Sequence, residues 1–515
     1  MVTAGPYLCC VTPPDDMIRT RWRQAAFHGF GWGCVGGIAL VALMYLANLV
    51  LGLRPLSQLL SEPLLSLMPG WMFGFLIDTL QHAGKVVEEA GLIVAIVVAL
   101  GLLGAATSVA ALRWHSQYLP FAFAALGWIV VDFVLLPAGG AGLLGLNDGP
   151  ATPIMWAALF ATYAVVLQMG SQPSTYDQGR RRVLSAVPVT IVAVSLGVLA
   201  LRLLPDWYRA IFSPPESGMR GPSPPITPVQ NFYVVSKNIG SDPNVDGQAW
   251  RLSIGGMADR PLKLSLQELR ALPATNELVT MECISNSVGG PLMSTGSFTG
   301  VSLRELLAQA NPQSSATWVG FKARDGYAES LPMSLIAGAP EILVAYALDG
   351  SPLPMVHGYP ARVLIPGRYG MKGPKWLDSI DLINHEAGGY WEQQGWDHNA
   401  VVKTTARFDV PSKGDIIKRG AVSLSGVAFS GTQGISKVEY SVDNGASWNE
   451  ATSAAPLSPL TWVIWQATWM PSAEGSYTLK VRAADGSGKP QDKTDAASFP
   501  SGASGYHTIQ VSISK

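Results

Sequence analysis

Long apolar runs fill this chain up to residue 204, and short alternating runs fill the rest. Five of the long runs, at 26–50, 90–112, 119–136, 152–169 and 183–204, come close to the roughly twenty residues that a helix needs to cross a bilayer. A sixth stretch, 64–80, is shorter and carries Pro69, Gly70 and Asp78. It reads as a re-entrant or interfacial piece. The distribution of arginines supports five spans. Arg19, Arg21 and Arg23 hold the N-terminus in the cytoplasm, and five crossings keep Arg113 and Arg180-Arg181-Arg182 on the same side. The chain after the fifth span then lies outside the cytoplasm.

After residue 204 the period changes. Residues 205–228 are rich in proline, including Pro214-Pro215 and Pro224-Pro225, and predict a stiff extended linker. A mixed region follows at 229–404. Trp250 to Ile254 alternates like a strand, and Ser265 to Arg270 reads as a helical turn. Val301 to Ala310 places Leu303, Leu306 and Leu307 on one helical face. Strands are predicted at Ile342 to Ala347 and Ala361 to Ile365. Strands interspersed with short helices predict an α+β domain. From 405 to 515 the period is two throughout, as in Val422 to Phe429 and Ser436 to Val442, and Asp443-Asn444-Gly445 is a hairpin turn signal. This predicts a β-sandwich of immunoglobulin-like architecture without its cysteine pair. The fold class is thus multi-domain: an all-α transmembrane bundle (1–204), an α+β domain and an immunoglobulin-like sandwich.

Composition adds limits. Net charge is −1 and only 14% of residues are charged, which gives no sign of nucleic-acid binding. The apolar excess lies before residue 205, so the chain joins a membrane part to a soluble part. Haem within the membrane part needs paired histidines inside spans. His28 lies near the start of the first span, and His82 and His115 lie outside the spans, so no haem is expected in this chain. Asp132 is the main intramembrane charge. Arg181-Arg182 ahead of an apolar run has two readings, ordinary anchoring or an internal twin-arginine export signal. Cys9-Cys10 is either a lipidated pair or part of an unstructured tail.

Cys283 is the only cysteine after the apolar region. It sits where the strand-like run Val279-Thr280-Met281-Glu282 breaks into a Ser/Asn/Gly loop ending at Gly289-Gly290. A thiolate there is a nucleophile or a soft metal ligand, and a protonated thiol is a small core residue. The stretch from His357 to Lys375 carries five cationic or titratable side chains in nineteen residues, His357, Arg362, Arg368, Lys372 and Lys375, interleaved with glycines. Glycine admits an anion to the backbone and the cations neutralise it, so this reads as a phosphate or anion cradle, or else as a solvated basic loop. Tyr327, in Asp325-Gly326-Tyr327, is either a packed aromatic or a proton donor near an oxyanion.

These pieces, in this order, resemble the sulfite oxidase family of molybdenum enzymes, over residues 230–515. The resemblance rests on Thr280-x-Glu282-Cys283-x-x-Asn286, on Gly300-Val301-x-Leu303-x-Glu305-Leu306-Leu307 and on Asp325-Gly326-Tyr327. It continues through Leu353-Pro354, His357-Gly358-Tyr359-Pro360-x-Arg362 and Tyr369-Gly370-x-Lys372-Gly373-x-Lys375-Trp376. Val438-Glu439-x-Ser441-x-Asp443-x-Gly445-x-x-Trp448 looks like the family's dimerisation domain. The resemblance implies one molybdenum held by molybdopterin, with Cys283 its single protein ligand. It implies that His357, Arg362, Gly373 and Lys375 hold the pterin and its phosphate, with Asn238 a further contact. It makes Tyr327 the active-site tyrosine.

The chain also departs from the family. Sulfite oxidases place basic residues just after the cysteine, whereas Ser287, Val288 and Gly289 follow Asn286 here, and only Lys237 stands beside Asn238. That weakens sulfite itself as the substrate. The expected function is oxygen-atom transfer on a small sulfur- or nitrogen-oxo compound. The catalytic part would lie outside the bacterial cytoplasmic membrane. Electrons would exchange with a quinone, a cytochrome or a membrane subunit, and the expected assembly is a homodimer in contact with membrane lipid. Two other readings stay open: a cysteine hydrolase pairing Cys283 with His357 or His385, and a non-enzymatic receptor or adaptor that binds through its sandwich.

Overall fold

A computed structural model describes residues 15–68, 72, 83–114, 116–171, 178–212, 221–238, 242–339 and 341–515. The chain divides into a helical unit before residue 213 and a sheet-rich unit after it. Within the helical unit, α1 (Asp15–Leu51), α2 (Leu56–Leu67), α3 (Ala83–Trp114), α4 (Leu119–Val130), α5 (Thr152–Ser171) and α6 (Gln178–Phe212) follow in order. A π-turn at Val131–Leu135 continues α4 to Ala138. Among the described residues, five helices are long and apolar enough to cross a membrane, at Arg19–Leu51, Gly84–Trp114, Leu119–Ala138, Thr152–Gly170 and Ala186–Leu204. These are the five predicted runs. Most of the predicted interfacial piece lies outside the described residues, as do Cys9-Cys10 and the side chains of Arg180 to Arg182 that would form an export signal.

Among the described residues, two acidic side chains are buried in the helical unit. Asp132 is buried, and so is Glu89 near the start of α3. Tyr45 Oη donates to Glu89 at 2.7 Å and Trp207 Nε1 donates to it at 2.9 Å, so this carboxylate is fully engaged. The predicted extended linker needs correction. Residues 205–212 continue α6 as helix. Further on, Thr227 N donates to Thr295 O at 2.8 Å and Arg407 Nη2 donates to Ser223 Oγ at 3.1 Å. Ser223 and Thr227 are thus held within the sheet-rich unit.

The sheet-rich unit begins with two sheets. The first has the order β2-β1-β10-β5-β6, built from β1 (Arg251–Gly256), β2 (Leu262–Ser265), β5 (Trp318–Ala323), β6 (Ala328–Pro332) and β10 (Leu377–Ile383). The second has the order β3-β4-β7-β8, with β9 (Arg362–Leu364) also paired to β7. Here β3 is Thr275–Glu282, β4 is Met293–Ser302, β7 is Leu343–Leu348 and β8 is Ser351–Pro352. Ser265 caps α7 (Leu266–Ala271) in a reciprocal box with Glu268, the arrangement expected where a strand must turn at once into a helix. Leu303, Leu306 and Leu307 of α8 (Leu303–Ala310) are buried as their spacing requires, each worth about 1.5–3 kcal/mol. Val301 and Ser302 belong to β4, so the helix starts two residues later than predicted.

The last part is a pair of sheets built from β11 (Thr405–Val410), β12 (Ile416–Lys418), β13 (Val422–Phe429), β14 (Ile435–Ser441), β15 (Asn449–Glu450), β16 (Thr452–Ser453), β17 (Val463–Trp469), β18 (Gly475–Asp485) and β19 (His507–Ser514). Their orders are β11-β13-β17-β16 and β12-β19-β18-β14-β15. Inward residues of both sheets share one core around Trp465, which includes Leu424, Val438 and Val481. Asn444 and Gly445 adopt the left-handed backbone that the Asp-Asn-Gly signal predicts.

This pair of sheets grips the region that carries Cys283. Thr280 N donates to Leu460 O at 3.0 Å, and Trp462 N donates to Thr280 Oγ1 at 2.8 Å. Arg407 Nη1 donates to Gly290 O at 2.8 Å while its Nε pairs with Asp409 at 2.9 Å. Truncation of Arg407 leaves Asp409 with only the Ser223 N–H as a hydrogen-bond partner and removes the bond to Gly290 O. Arg407→Ala is expected to cost about 3–5 kcal/mol. The expected reading is a lowered midpoint for the sheet-rich unit in a thermal melt of the full chain, and an unchanged midpoint would refute the clamp.

Candidate active site

Cys283 is the first residue after β3, and the loop behind it is closed by its own side chains. Cys283 N donates to Leu292 O at 3.0 Å. Asn286 takes both roles that its amide allows: Nδ2 donates to Glu282 Oε1 at 2.9 Å and Oδ1 accepts from Leu292 N at 3.0 Å. Thr280, Glu282 and Asn286 therefore hold the loop through hydrogen bonds. Its thiol lies 3.1 Å from Ser285 Oγ. Burial pushes the Cys283 thiol up, and burial pushes Glu282 up to about 7. An uncomplexed thiol so placed is a poor nucleophile at neutral pH. Among the described residues no histidine hydrogen-bonds to it, and the His385 side chain is bonded to Asn384 at 3.0 Å. The thiolate–histidine pair of a hydrolase is not formed.

Tyr233 is packed with Cys283 in one buried cluster that also holds Phe232 and Met281. The Phe232 ring stacks on Tyr233 at 5.9 Å and meets the His357 ring edge-on at 5.4 Å. Tyr233 Oη also lies over the backbone of Gly370, where an added Cβ would stand 2.7 Å away. The pair Phe232-Tyr233 thus joins the cysteine to the basic segment. Sequence reasoning assigned it no role, and its signal was two aromatics in a strand-poor stretch.

The five-cation cradle is corrected by the structure. Arg368 donates to Asn399 O at 2.7 Å. Lys372 is buried, 2.6 Å from Glu329 Oε1 and also paired with Glu392 Oε1. The carboxylates neutralise it and withdraw it from any anion. His357, Arg362 and Lys375 remain. Arg362 is buried, and its long bonds reach His357 O at 3.3 Å and Gly373 O at 3.4 Å. Its Nε is buried with no hydrogen-bond partner. Gly373 is packed so that a Cβ would stand 2.5 Å from Val363 O. Lys375 Nζ reaches Val356 O at 3.0 Å and lies over the Trp376 ring. Burial, with the charges of Arg362 and Lys375, holds His357 down to about 4, and burial lowers Arg362 to about 10.

Tyr327 and Asn238 complete the neighbourhood. Tyr327 is buried, and its Oη donates to Met371 O at 2.6 Å. Its ring lies 5.6 Å from that of Tyr390, over which Lys237 sits at 5.0 Å. Asn238 Nδ2 donates to Asp242 at 3.1 Å and to Asp325 at 3.2 Å. All seven predicted site residues fall within this one sheet-rich unit. Hydrogen bonds link Arg362 to His357 and Gly373, Tyr327 to Met371, and Asn238 to Asp325. The fit to an anionic ligand rests on Arg362: an orphaned guanidinium Nε beside a depressed histidine is what a phosphate group would satisfy.

The signature described as "Oxidoreductase molybdopterin binding domain" matches residues 239–391. Sulfite oxidase of Arabidopsis thaliana is 31% identical over 289 residues, 46% of this chain and 72% of that protein. The chain belongs to the sulfite oxidase family. A putative protein-methionine-sulfoxide reductase subunit YedZ1 of Azospira oryzae is 30% identical over 153 residues, 30% of this chain and 56% of that protein. The sulfane dehydrogenase SoxCD of Paracoccus pantotrophus superposes with a TM-score of 0.51 at 21% identity, covering 56% of this chain and 82% of that one, which supports the family's fold. The chain spans less than two thirds of the mammalian mitochondrial sulfite oxidases it also matches, 58% for the mouse protein.

The pH dependence of His357 tests the cationic cluster. Followed by NMR of labelled histidine, it is expected to titrate near 4. Between pH 6.5 and 4 the unfolded chain then binds more protons at this residue than the folded one, so falling pH removes stability, by roughly 3 kcal/mol at the low end. Arg362→Met is expected to raise the midpoint. A wild-type midpoint near the unperturbed 6.5 would contradict the arrangement.

Proposed function

We propose that this protein is a membrane-anchored molybdenum oxidoreductase that transfers an oxygen atom to or from a small sulfur- or nitrogen-oxo substrate on the extracytoplasmic side. The carrying observation is that a fixed cysteine and a cluster of His357, Arg362 and Lys375, in which Arg362 Nε is buried with no hydrogen-bond partner, lie in one sheet-rich unit of this family. Molybdenum with its pterin dithiolene, when bound, supplies the two-electron oxygen-atom chemistry. Cys283 is its protein ligand, as a thiolate whose proton leaves on binding. Arg362, His357, Lys375 and the Gly373 backbone hold the pterin and its phosphate, with Asn238 as a further contact. Tyr327 orients substrate, its hydroxyl held by Met371 O and its proton retained because burial and nearby carboxylates raise it well above the usual phenol range.

The sparse positive charge beyond Cys283 favours a weakly charged or neutral oxo substrate over sulfite. Ser287, Val288 and Gly289 offer no cation. The terminal pair of sheets is read as an immunoglobulin-like dimerisation domain, and electrons exchange with a quinone, a cytochrome or a membrane subunit. The one-sided distribution of arginines supports an extracytoplasmic catalytic part.

Metal analysis of the purified, matured chain is expected to give about one molybdenum per chain, lost in Cys283→Ala, with Tyr327→Phe keeping the metal but losing on the order of 10²-fold in turnover. Active protein without molybdenum would refute the reading. For topology, reporter fusions after residue 212 are expected to report the extracytoplasmic side; cytoplasmic signals there would overturn the five-span orientation.

A further inference from the structure

The buried ion cluster that the site does not use has an unusual charge count. Lys372 stands between Glu329 and Glu392, and all three side chains are almost wholly buried, with exposures of 3%, 0% and 1%. One ammonium cannot neutralise two carboxylates. Burial of a net negative charge is costly, and a proton on one carboxyl removes that cost. Glu329 is the group that takes it. Burial pushes Glu329 up to about 8 against the pull of Lys372. Its Oε1 accepts from Lys372 and from Ser330 N, while Oε2 is buried with no hydrogen-bond partner and lies against Gly389, where a Cβ would stand 2.6 Å away.

The cluster runs in two directions. Inward, Tyr327 immediately precedes β6 and Glu329 is its second residue, two positions on along an extended run. They meet consecutive residues of one turn: Tyr327 Oη reaches Met371 O and Glu329 reaches Lys372 Nζ. Outward, Glu392 Oε2 lies 3.6 Å from His398 Nδ1, and that ring is 2.9 Å from Glu386 Oε1. The His398 side chain is 59% exposed and that of Glu386 is 40% exposed. The hydrogen bond to Glu386 is the main cause that raises His398. The charged and titratable groups facing Glu329 are Lys372, Glu392 and Tyr327, with Asp325 and Tyr390 beyond Tyr327.

We propose that Glu329, Lys372, Glu392, His398 and Glu386 form a proton path between the Tyr327 side of the site and the surface. This rests on the oxygen-atom-transfer reading. In that chemistry a substrate X and water give XO, two protons and two electrons, or the reverse. An X–O bond forms, two O–H bonds break, and the electrons pass to the quinone or cytochrome partner. Tyr327, Glu329, Lys372 and Glu392 are all buried, so a proton leaving on this side passes through the cluster before it meets water. Lys372 gives a proton to Glu392 Oε1 and is refilled by the Glu329 carboxyl after that group rotates, Glu329 then takes a new proton from the Tyr327 side, and Glu392 releases its proton through His398 to water. Each transit returns the cluster to its starting charge. The same His398, Glu386 and Glu392 atoms are close enough to bind a cation, but the Lys372 ammonium on Glu392 opposes one there.

The test is hydrogen–deuterium exchange of the Glu329 carboxyl band in infrared spectra of the full chain, with the band assigned by its loss in Glu329→Gln or, if that variant fails to fold, by labelled glutamate. His398→Gln lies at the exposed end and leaves the core packing intact. It is expected to slow exchange of the band about tenfold, with imidazole restoring the rate. In molybdenum-loaded protein it is expected to lower turnover by a similar factor and to enlarge the solvent deuterium isotope effect. Exchange as fast in His398→Gln as in wild type would overturn the path. The exchange measurement needs no metal, so a failure of the path and a failure of the molybdenum reading are seen separately.

Discussion

The structure depends on how the loop after β3 is held. Cys283 has no helix or strand of its own to fix it, and it is followed by serine, asparagine and paired glycines. Left to itself such a segment would sample many conformations. Three anchors prevent this. Asn286 ties Glu282 to Leu292, Arg407 fixes Gly290 O from the next domain, and Thr280 accepts the backbone of Trp462. Hydrogen bonds that involve a buried charge are worth about 1.5–3 kcal/mol each, enough to outweigh the entropy of a few ordered residues. The terminal sheets, which carry no chemistry of their own, are therefore part of the site's support.

A second constraint is the sorting of charge. The basic segment distributes its cations by burial and partner. Arg368 is spent on a carbonyl and Lys372 on two carboxylates. Arg362 keeps one donor unsatisfied, and burial with two cationic neighbours keeps His357 neutral. An arrangement with unsatisfied donors lowers the stability of the chain alone. It is the kind of local inconsistency that folds retain where a ligand resolves it.

Much of this was legible in the sequence, and the parts that were not share a physical cause. The five apolar runs, the α8 face and the Asn444-Gly445 turn follow from period and turn chemistry, which are local. Ordered motifs single out Cys283, Tyr327 and Arg362, and all three fall within the sheet-rich unit. The burial of Lys372 was not legible, because its partners Glu329 and Glu392 lie 43 and 20 residues away in the chain. A lysine among glycines looks like an anion ligand until the carboxylates are seen. The role of Phe232-Tyr233 was hidden for the same reason, since it depends on contacts with β3 and the segment from 357 to 370. The helical continuation of residues 205–212 ran against the proline signal, and Pro205 there did not end α6.

One short turn ties the two charge clusters together. Met371 O holds Tyr327, Lys372 holds Glu329 and Glu392, and Gly373 O receives Arg362, all in three consecutive residues. On one side the turn meets a cluster short of negative charge, and on the other a cluster with a carboxyl to spare. A shift of the turn that improved one contact would strain the others, because backbone atoms three residues apart cannot move independently at close packing. Lys372 therefore does more than neutralise acids. By fixing the turn it sets where the Arg362 guanidinium and the Tyr327 hydroxyl can be. Neutralising substitutions at Lys372 or Glu329 should couple non-additively to changes at Arg362, although those side chains make no direct contact with it.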